Sequence, residues 1–471
     1  MYTNKDNGAY PSGPVGIVLA AEMRARLHRF VSPLLKDLDF RLDSRLVQTF
    51  ASTLEAILVF RNRAMGLLLS ELGAYILSPT KAPAGTKRLS NLFRSQKWTS
   101  KLIGRFLWDK ADRRLKELEA SRETALVLWD QSVLEKPESL KAEGLCAVRS
   151  SKAARLKRIK PGFYNPPGGR PVFVPGFEWL ALMLVGVSPS SGPAQVAAMQ
   201  WWTKRGDKRG EQATDARSIQ RKALAFCMQE WRRRVLHVFD RGYAGHPWLA
   251  DLAFYKTRFV LRWPNRYHLQ LRCDQGRTLA ERRGEERPAW ELARGKKAWD
   301  KKRLYDTHTK DRRTISILAL PVWHPIMMTP LWLVIARSGG GREPWYLLTS
   351  EKVENKEDAW RIYFAYHRRW QIEMCFRFNK CELAMESPRL WKWEARMKML
   401  HMVTLVHAFL LMLLDPVLHA LIQQTLRLFC HRTGKRGRET SAPLYRLRAA
   451  LSRLLLAYPK LPVQMSLQNS G

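Results

Sequence analysis

The stretch VLHVFDRGYAGHPWLADLAFYKTRFVLRW, Val235–Trp263, decides the fold class. Val235–Phe239 is short, apolar and bounded by charge, which reads as a buried strand. His246–Tyr255 reads as a helix and Arg258–Trp263 as another strand. Upstream, Thr124–Trp129 is a further buried strand, Pro171–Val174 and Glu178–Val187 are strand-like, and Ala194–Trp202 is expected to be a helix. Asp215–Arg234 is a long basic helix. Strands and helices alternating in this way make a mixed α/β domain.

Outside this core the texture differs. From Gly16 to Glu119 apolar residues recur three and four apart, as in Leu27, Phe30, Val31, Leu34 and Leu35, so the segment is helical. A Pro/Ser/Gly break at Ser78–Gly85 precedes a helix decorated by Lys87, Arg88, Arg94, Lys97 and Lys101. A basic helix after a turn suits a DNA reader, and equally an ordinary bundle with a solvated basic face. Arg149–Arg170 carries seven basic residues, no acidic one and a Pro-Pro-Gly-Gly turn. Asn265–Arg342 is rich in Arg, Lys and Gly, with β-type runs at Thr314–Val322 and Leu331–Ala336, and reads as a β-rich insertion. Trp345–Thr349 is a strand, Lys352–Cys381 one helix, and Met399–Leu426 a buried helix. The tail holds Arg432, Lys435, Arg436, Arg438, Arg446, Arg448 and Arg453 against one acid, Glu439.

The 471 residues carry 81 Lys+Arg against 42 Asp+Glu, a formal charge of +39. Such an imbalance repels itself unless the partner is a polyanion, so nucleic acid leads and an anionic membrane surface follows. With 46% hydrophobic residues the chain has material for a large core. The longest near-apolar run, Met402–Leu414, stops at Asp415-Pro416, well short of the roughly 20 residues a membrane span needs. Met1–Tyr10 has no basic region followed by an apolar one, so a cytoplasmic location is expected. Cysteines at 146, 227, 273, 375, 381 and 430 form no Cys-x-x-Cys pair, which argues against a disulfide scaffold or zinc ribbon.

Three carboxylates stand out. Asp130 is expected to end the strand Thr124–Trp129, Asp240 ends Val235–Phe239, and Glu373 lies mid-helix. Two strand ends side by side and a helix against them can converge three carboxylates, an oxygen-only set suited to Mg²⁺ or Mn²⁺. Two such ions about 3.5–4 Å apart would activate a water or 3′-hydroxyl and stabilise the leaving oxygen of a phosphodiester. Aspartates after strands are also common turn residues, so neither Asp alone is diagnostic. On a single helix at about 100° per residue, Tyr366, Arg369, Glu373 and Lys380 fall within roughly 60° of one another. A carboxylate flanked by cations and a phenol is what a phosphate-backbone site requires. An exposed helix with an Arg369–Glu373 pair would show the same spacing.

The pattern Tyr366-x2-Arg369-x3-Glu373-x6-Lys380 resembles the YREK signature of DDE transposases from bacterial cut-and-paste insertion elements. Asp240-Arg241-Gly242-Tyr243-Ala244 is similar to the second-aspartate motif of that family, and Arg262 stands where it carries a DNA-contacting arginine. Trp345-Tyr-Leu-Leu-Thr-Ser350 resembles the strand whose tryptophan stacks where a base is flipped out. The resemblance spans roughly residues 120–400; at Asp130 it is weaker, since Gln131-Ser132 follows instead of Thr or Gly.

The resemblance implies an RNase H-like mixed sheet core with a β-rich insertion, a helical domain before it and helices after it. The implied domains are 1–120 helical and DNA-binding, 121–264 first part of the core, 265–343 insertion, 344–398 second part of the core, and 399–471 helical and basic, suited to dimerisation. Asp130, Asp240 and Glu373 would be the metal-binding catalytic triad, holding two Mg²⁺ or Mn²⁺ ions. Tyr366, Arg369, Lys380, Trp345, Arg262 and Arg241 would contact DNA. The implied reaction is hydrolysis at the element ends, passage through a hairpin, and strand transfer into target DNA. Partners would be double-stranded DNA at the terminal inverted repeats and the target, and a second copy of the chain, with no membrane. The location would be the bacterial cytoplasm, with the nucleoid when DNA is bound. Two alternatives remain: an inactive DNA-binding remnant, which the three carboxylates disfavour, and a structure-selective nuclease, which has less need of a separate end reader. Short inverted repeats beside the gene would favour transposition.

Overall fold

A computed structural model of the chain describes residues 13–60, 66–139, 141–152, 171–205, 213–272, 286–306, 311–324, 327–339, 341–430 and 444–459. The expected Pro-Pro-Gly-Gly turn, the first residues Met1–Tyr10 and the basic run 432–438 lie outside them. Two compact units form: residues 1–106 with 377–471, and residues 107–376.

In chain order the helices begin with α1 (Pro14–Asp39), α2 (Ser44–Val59), α3 (Leu69–Ile76), α4 (Ala82–Arg94) and α5 (Lys101–Ala120). Strands β1 (Ala125–Glu135), β2 (Cys146–Arg149), β3 (Phe173–Gly186) and β4 (Gln195–Trp202) follow. Next come α6 (Ala216–Glu230), β5 (Leu236–Phe239), α7 (His246–Phe254), β6 (Phe259–Arg262), β7 (His268–Leu271), β8 (Arg287–Pro288) and α8 (Ala289–Leu292). Strands β9 (Asp300–Asp306), β10 (Asp311–His324), β11 (Met327–Arg337) and β12 (Trp345–Thr349) lead into α9 (Lys356–His367) and α10 (Trp370–Cys381). The chain closes with α11 (Trp393–Met412), α12 (His419–Phe429) and α13 (Leu444–Ala457).

The second unit is built on one mixed sheet in the order β2-β3-β1-β5-β6-β12-β11-β10-β7-β8, with β4 on β3 and β9 on β10. β1 is antiparallel to β3 but parallel to β5, and β5 is parallel to β6. Strands covered on both faces are apolar throughout, which is why the first five residues of β1 and all of β5 are buried. This is the RNase H-like arrangement. The expected insertion adds its strands to that sheet beyond β12: β12 pairs with β6, and the insertion strands β11 and β10 continue outward from it.

In the first unit α4 turns Leu89, Leu92 and Phe93 inward and leaves Lys87 and Arg94 exposed. Gly73 of α3 and Gly85 of α4 let the two helices touch at their backbones, for a Cβ on Gly85 would lie 2.2 Å from the Gly73 oxygen. The C-terminal helices close this unit. Arg448 of α13 donates to Ile57 O at 3.2 Å and to Phe60 O, and Lys398 of α11 donates to Ser95 O at 2.6 Å. Among the described residues α11 has the length and hydropathy of a membrane span, yet it lies buried inside the unit with Arg396 and Lys398 along it.

Three element expectations need correction. Ala194–Trp202 is strand β4, paired along β3 from Glu178↔Trp202 to Leu184↔Gln195; the long open edge of β3 overrides the helical propensity of Ala197-Ala198. Met399–Leu426 is not continuous, because Asp415-Pro416 breaks it between α11 and α12 and Asp415 caps the turn through Val417 N. Lys352–Cys381 is likewise two helices, α9 and α10.

Candidate active site

The site starts from an aromatic floor. Trp129 and Phe239 lie side by side on the parallel strands β1 and β5, their rings 5.4 Å apart, with Trp248 and Tyr243 each 5.3 Å from Phe239. Trp129 Nε1 donates to His237 Nδ1 at 2.9 Å, and burial lowers the His237 pKa to about 3, so the ring stays neutral. Successive strand residues face opposite sides, so residues following two anchored rings emerge together on the other face. Those residues are Asp130 and Asp240. Asp130 does not end its strand, as expected, but sits within β1, opposite Ala181 of β3. What stops at Trp129 is the parallel pairing to β5; the antiparallel pairing to β3 carries β1 on to Glu135.

Glu373 arrives from α10. The break before it is made by short-range bonds, Arg369 N to Tyr366 O at 3.0 Å and Ile372 N to Arg369 O at 3.1 Å, which tighten the chain to three residues per turn. Consecutive arginines pull apart there: Arg368 Nε donates to Gly186 O at 3.0 Å, while Arg369 reaches the carboxylates. A single helical face therefore does not explain the convergence. The break does.

Arg369 is the hub. Its guanidinium donates to Asp130 Oδ2 at 3.4 Å, stands 3.8 Å from Asp240 Oδ1 and pairs with Glu373 Oε1. Tyr366 donates its hydroxyl to Asp240 Oδ1 at 3.2 Å, and the Arg369 guanidinium lies 5.7 Å from the Tyr366 ring. Burial pushes the Asp130 carboxyl up to about 7, with Asp240 and Glu373 adding to the rise and Arg369 and the Gln131 amide opposing it. Burial likewise raises the Tyr366 phenol to about 12. Burial works against the Arg369 charge too, but Tyr366 and the three carboxylates outweigh it and raise its pKa.

Around this centre Trp345 stacks on Tyr363 at 5.4 Å and meets Tyr366 edge-on at 5.1 Å. Arg262 lies over the Trp345 ring at 5.8 Å. Glu343, which sequence reading missed, holds Arg241 at 3.7 Å and Arg262 at 4.0 Å. Tyr363 was missed as well; its only signal was its place one turn before Tyr366. The structure thus brings together Asp130, Asp240, Glu373, Tyr366, Arg369, Trp345, Arg262 and Arg241. Lys380 stands on the part of α10 that belongs to the other unit.

Three carboxylates face one guanidinium, and their donor atoms are all hard oxygens. That set fits a divalent cation such as Mg²⁺. With Arg369 between them, no three acidic, His or Cys side chains among the described residues close tightly enough to hold an ion.

Residues 211–409 match the family model of the Transposase DDE domain. This match supports a DDE transposase. Asp240, Arg241, Arg262, Trp345, Tyr366, Arg369, Glu373 and Lys380 all fall within it, whereas Asp130 lies outside and joins the site by geometry. No curated protein matches the chain. A transposase domain implies transposition activity and DNA binding in general terms, and the family typically uses a divalent metal.

Proposed function

We propose that the protein moves an insertion element by cut and paste, as the branch with the YREK signature does. The observation that carries the reading is the convergence of Asp130, Asp240 and Glu373, from two strands and a helix, on the single cation Arg369. Asp130, Asp240 and Glu373 would hold Mg²⁺, in one or two ions. Bound there, the metal supplies an activated oxygen nucleophile and stabilisation of the leaving oxygen.

The protein's own residues do the rest. Arg369 must exchange carboxylates for a DNA phosphate when the site is loaded, a bidentate exchange for which a guanidinium is suited. Tyr366, on Asp240, can give its hydroxyl to a phosphate oxygen. Arg262 and Arg241 place two more cations beside Trp345; Lys380, in the other unit, would contact DNA as the resemblance implies. Trp345 offers a stacking surface for a flipped base, on the side that Arg262 now covers. A water first frees the 3′ end of the element; that 3′-hydroxyl then attacks the opposite strand to form a hairpin, which is reopened before joining to target DNA. The helical residues 1–120, with the exposed basic face of α4, would read the end. Residues 399–471 would help pair two copies.

The test is purified protein with labelled end DNA and Mg²⁺, products resolved on a denaturing gel. A nick at the element end, followed by a hairpin and then a joined product, is expected. A dead protein that still binds the end would mark a remnant. Cleavage without joining would mark a nuclease.

A further inference from the structure

The catalytic carboxylates occupy one end of the sheet, and the opposite end carries a cleft of its own. β5 and β6 run in parallel toward Asp240 and Arg262, and β12 returns antiparallel from Trp345. The residues before β5 and β6 and after β12 therefore gather at the far end. Five steps of extended chain, from Thr257 to Arg262, put the two ends about 16 Å apart.

At that far end Arg233, Lys256, Arg272 and Lys352 line a cleft of about 500 Å³ together with Trp332 and Thr257, and no acidic side chain among the described residues lines it. The four cations come from four different places: the turn before β5, the end of α7, the end of β7 and the loop after β12. Arg272 packs over the Trp332 ring at 5.6 Å, a cation on an aromatic face. Lys256 sits in the left-handed region at φ 49°, a costly conformation for a residue with a Cβ. Thr257 is 3% exposed, and its hydroxyl has no hydrogen-bond partner among the described residues. Two acids stand nearby among the described residues. Glu351 is held by Arg258 at 2.6 Å, and Glu354 makes only an exposed pair with Lys352.

We propose that this cleft binds the phosphodiester backbone of DNA, as a second contact remote from the catalytic carboxylates. Arg233, Lys256 and Lys352, the last in an exposed pair with Glu354, bring cations to one cleft beside Arg272, and an aromatic wall accommodates a sugar or base beside the phosphate. The chain's charge of +39 makes DNA the anion to expect over a free one. The proposal rests on the reading of DNA as the partner.

The test compares two variants of the full chain with equal charge loss. One carries Arg233→Gln, Lys256→Asn and Lys352→Gln. The other carries Lys296→Gln, Lys297→Gln and Lys301→Gln, exposed lysines of the same unit that do not line the cleft. Binding of a random-sequence duplex is followed between about 50 and 200 mM salt, where each lost phosphate contact removes about 0.9 from the log–log slope. The cleft variant is expected to lose about 2–3 from the slope and the control less than about 1. Should the triple variant fail to fold, Lys352→Gln alone is expected to lose about 1. Equal slopes for both triple variants would overturn the cleft while leaving DNA as partner. Equal slopes with inorganic phosphate raising the melting temperature of the unsubstituted protein, but not of the cleft variant, would assign the cleft to a small anion and overturn the DNA contact. If the unsubstituted protein bound no duplex at the lowest salt, both the functional reading and the cleft would fall.

Discussion

Arg369 sets the state of the site. Among the described residues it is the guanidinium that pairs with Asp130, Asp240 and Glu373 alike, and its charge offsets their repulsion. Arg369→Gln should therefore destabilise the metal-free protein by about 1–3 kcal/mol, less than a fully buried pair because Asp240 and Glu373 are about one-third exposed. Adding Mg²⁺ should raise the unfolding temperature of that variant more than that of the unsubstituted protein. Equal responses to Mg²⁺ would dissociate Arg369 from the metal-binding set. Trp345 carries a second expectation. Already stacked on Tyr363, it has one face for a base, and Trp345→Ala removes contact worth about 1–3 kcal/mol. Hairpin formation should slow more than first-strand nicking on the same end DNA. If both steps fail together, the ring is structural.

At the scale of elements, the sequence marked strands well where burial was uniform. β5, β6, β10, β11 and β12 lie where apolar runs placed them. It misread elements decided by distant partners. β4 is helical in local composition and a strand because β3 needs a neighbour. Asp130 looked like a strand end because the apolar run stops there, yet the antiparallel partner carries the strand five residues further. The signature residues were legible as a set, but the wheel that grouped them assumed an unbroken helix; the turn at Arg368–Arg369 depends on Gly186 and on the carboxylates, which no local pattern encodes. Joining of residues 377–471 to 1–106 was also invisible, since buried contacts such as Arg448 with Ile57 O are 391 positions apart. The contact of α3 and α4 gives an element-scale prediction. Gly85→Ala must push the helices apart and should cost about 1–3 kcal/mol, read as a lower unfolding temperature. An unchanged temperature would mean that the two backbones do not touch.

For the whole molecule, four buried or half-buried histidines and Asp130 carry the largest shifts among the described residues that bear on the response between about pH 4 and 7. Burial lowers His237 and His407 to about 3 and His324 and His401 to about 4. Each contributes stability that is complete above the unfolded value near 6.5 and is lost as pH falls toward the folded one. Asp130, raised to about 7, works the other way: its contribution is complete below its unfolded value and lost as pH rises through 7. Near pH 5 four protons taken up on unfolding against one held in the fold leave about three, so stability should fall steeply below about pH 6. Urea midpoints across this range would show it, and a maximum of stability near pH 4 would contradict it. The central claim concerns the three carboxylates, of which Asp130 stands outside the matched family segment and rests on its contact with Arg369. The most direct measurement is single-turnover cleavage of end DNA in Mg²⁺ by Asp130→Asn, Asp240→Asn and Glu373→Gln, beside a gel shift on the same DNA. An amide is a poor ligand for a hard cation, so all three variants should lose cleavage while end binding persists or tightens. Cleavage at the unsubstituted rate by any of them would remove that residue from the active site and contradict the account.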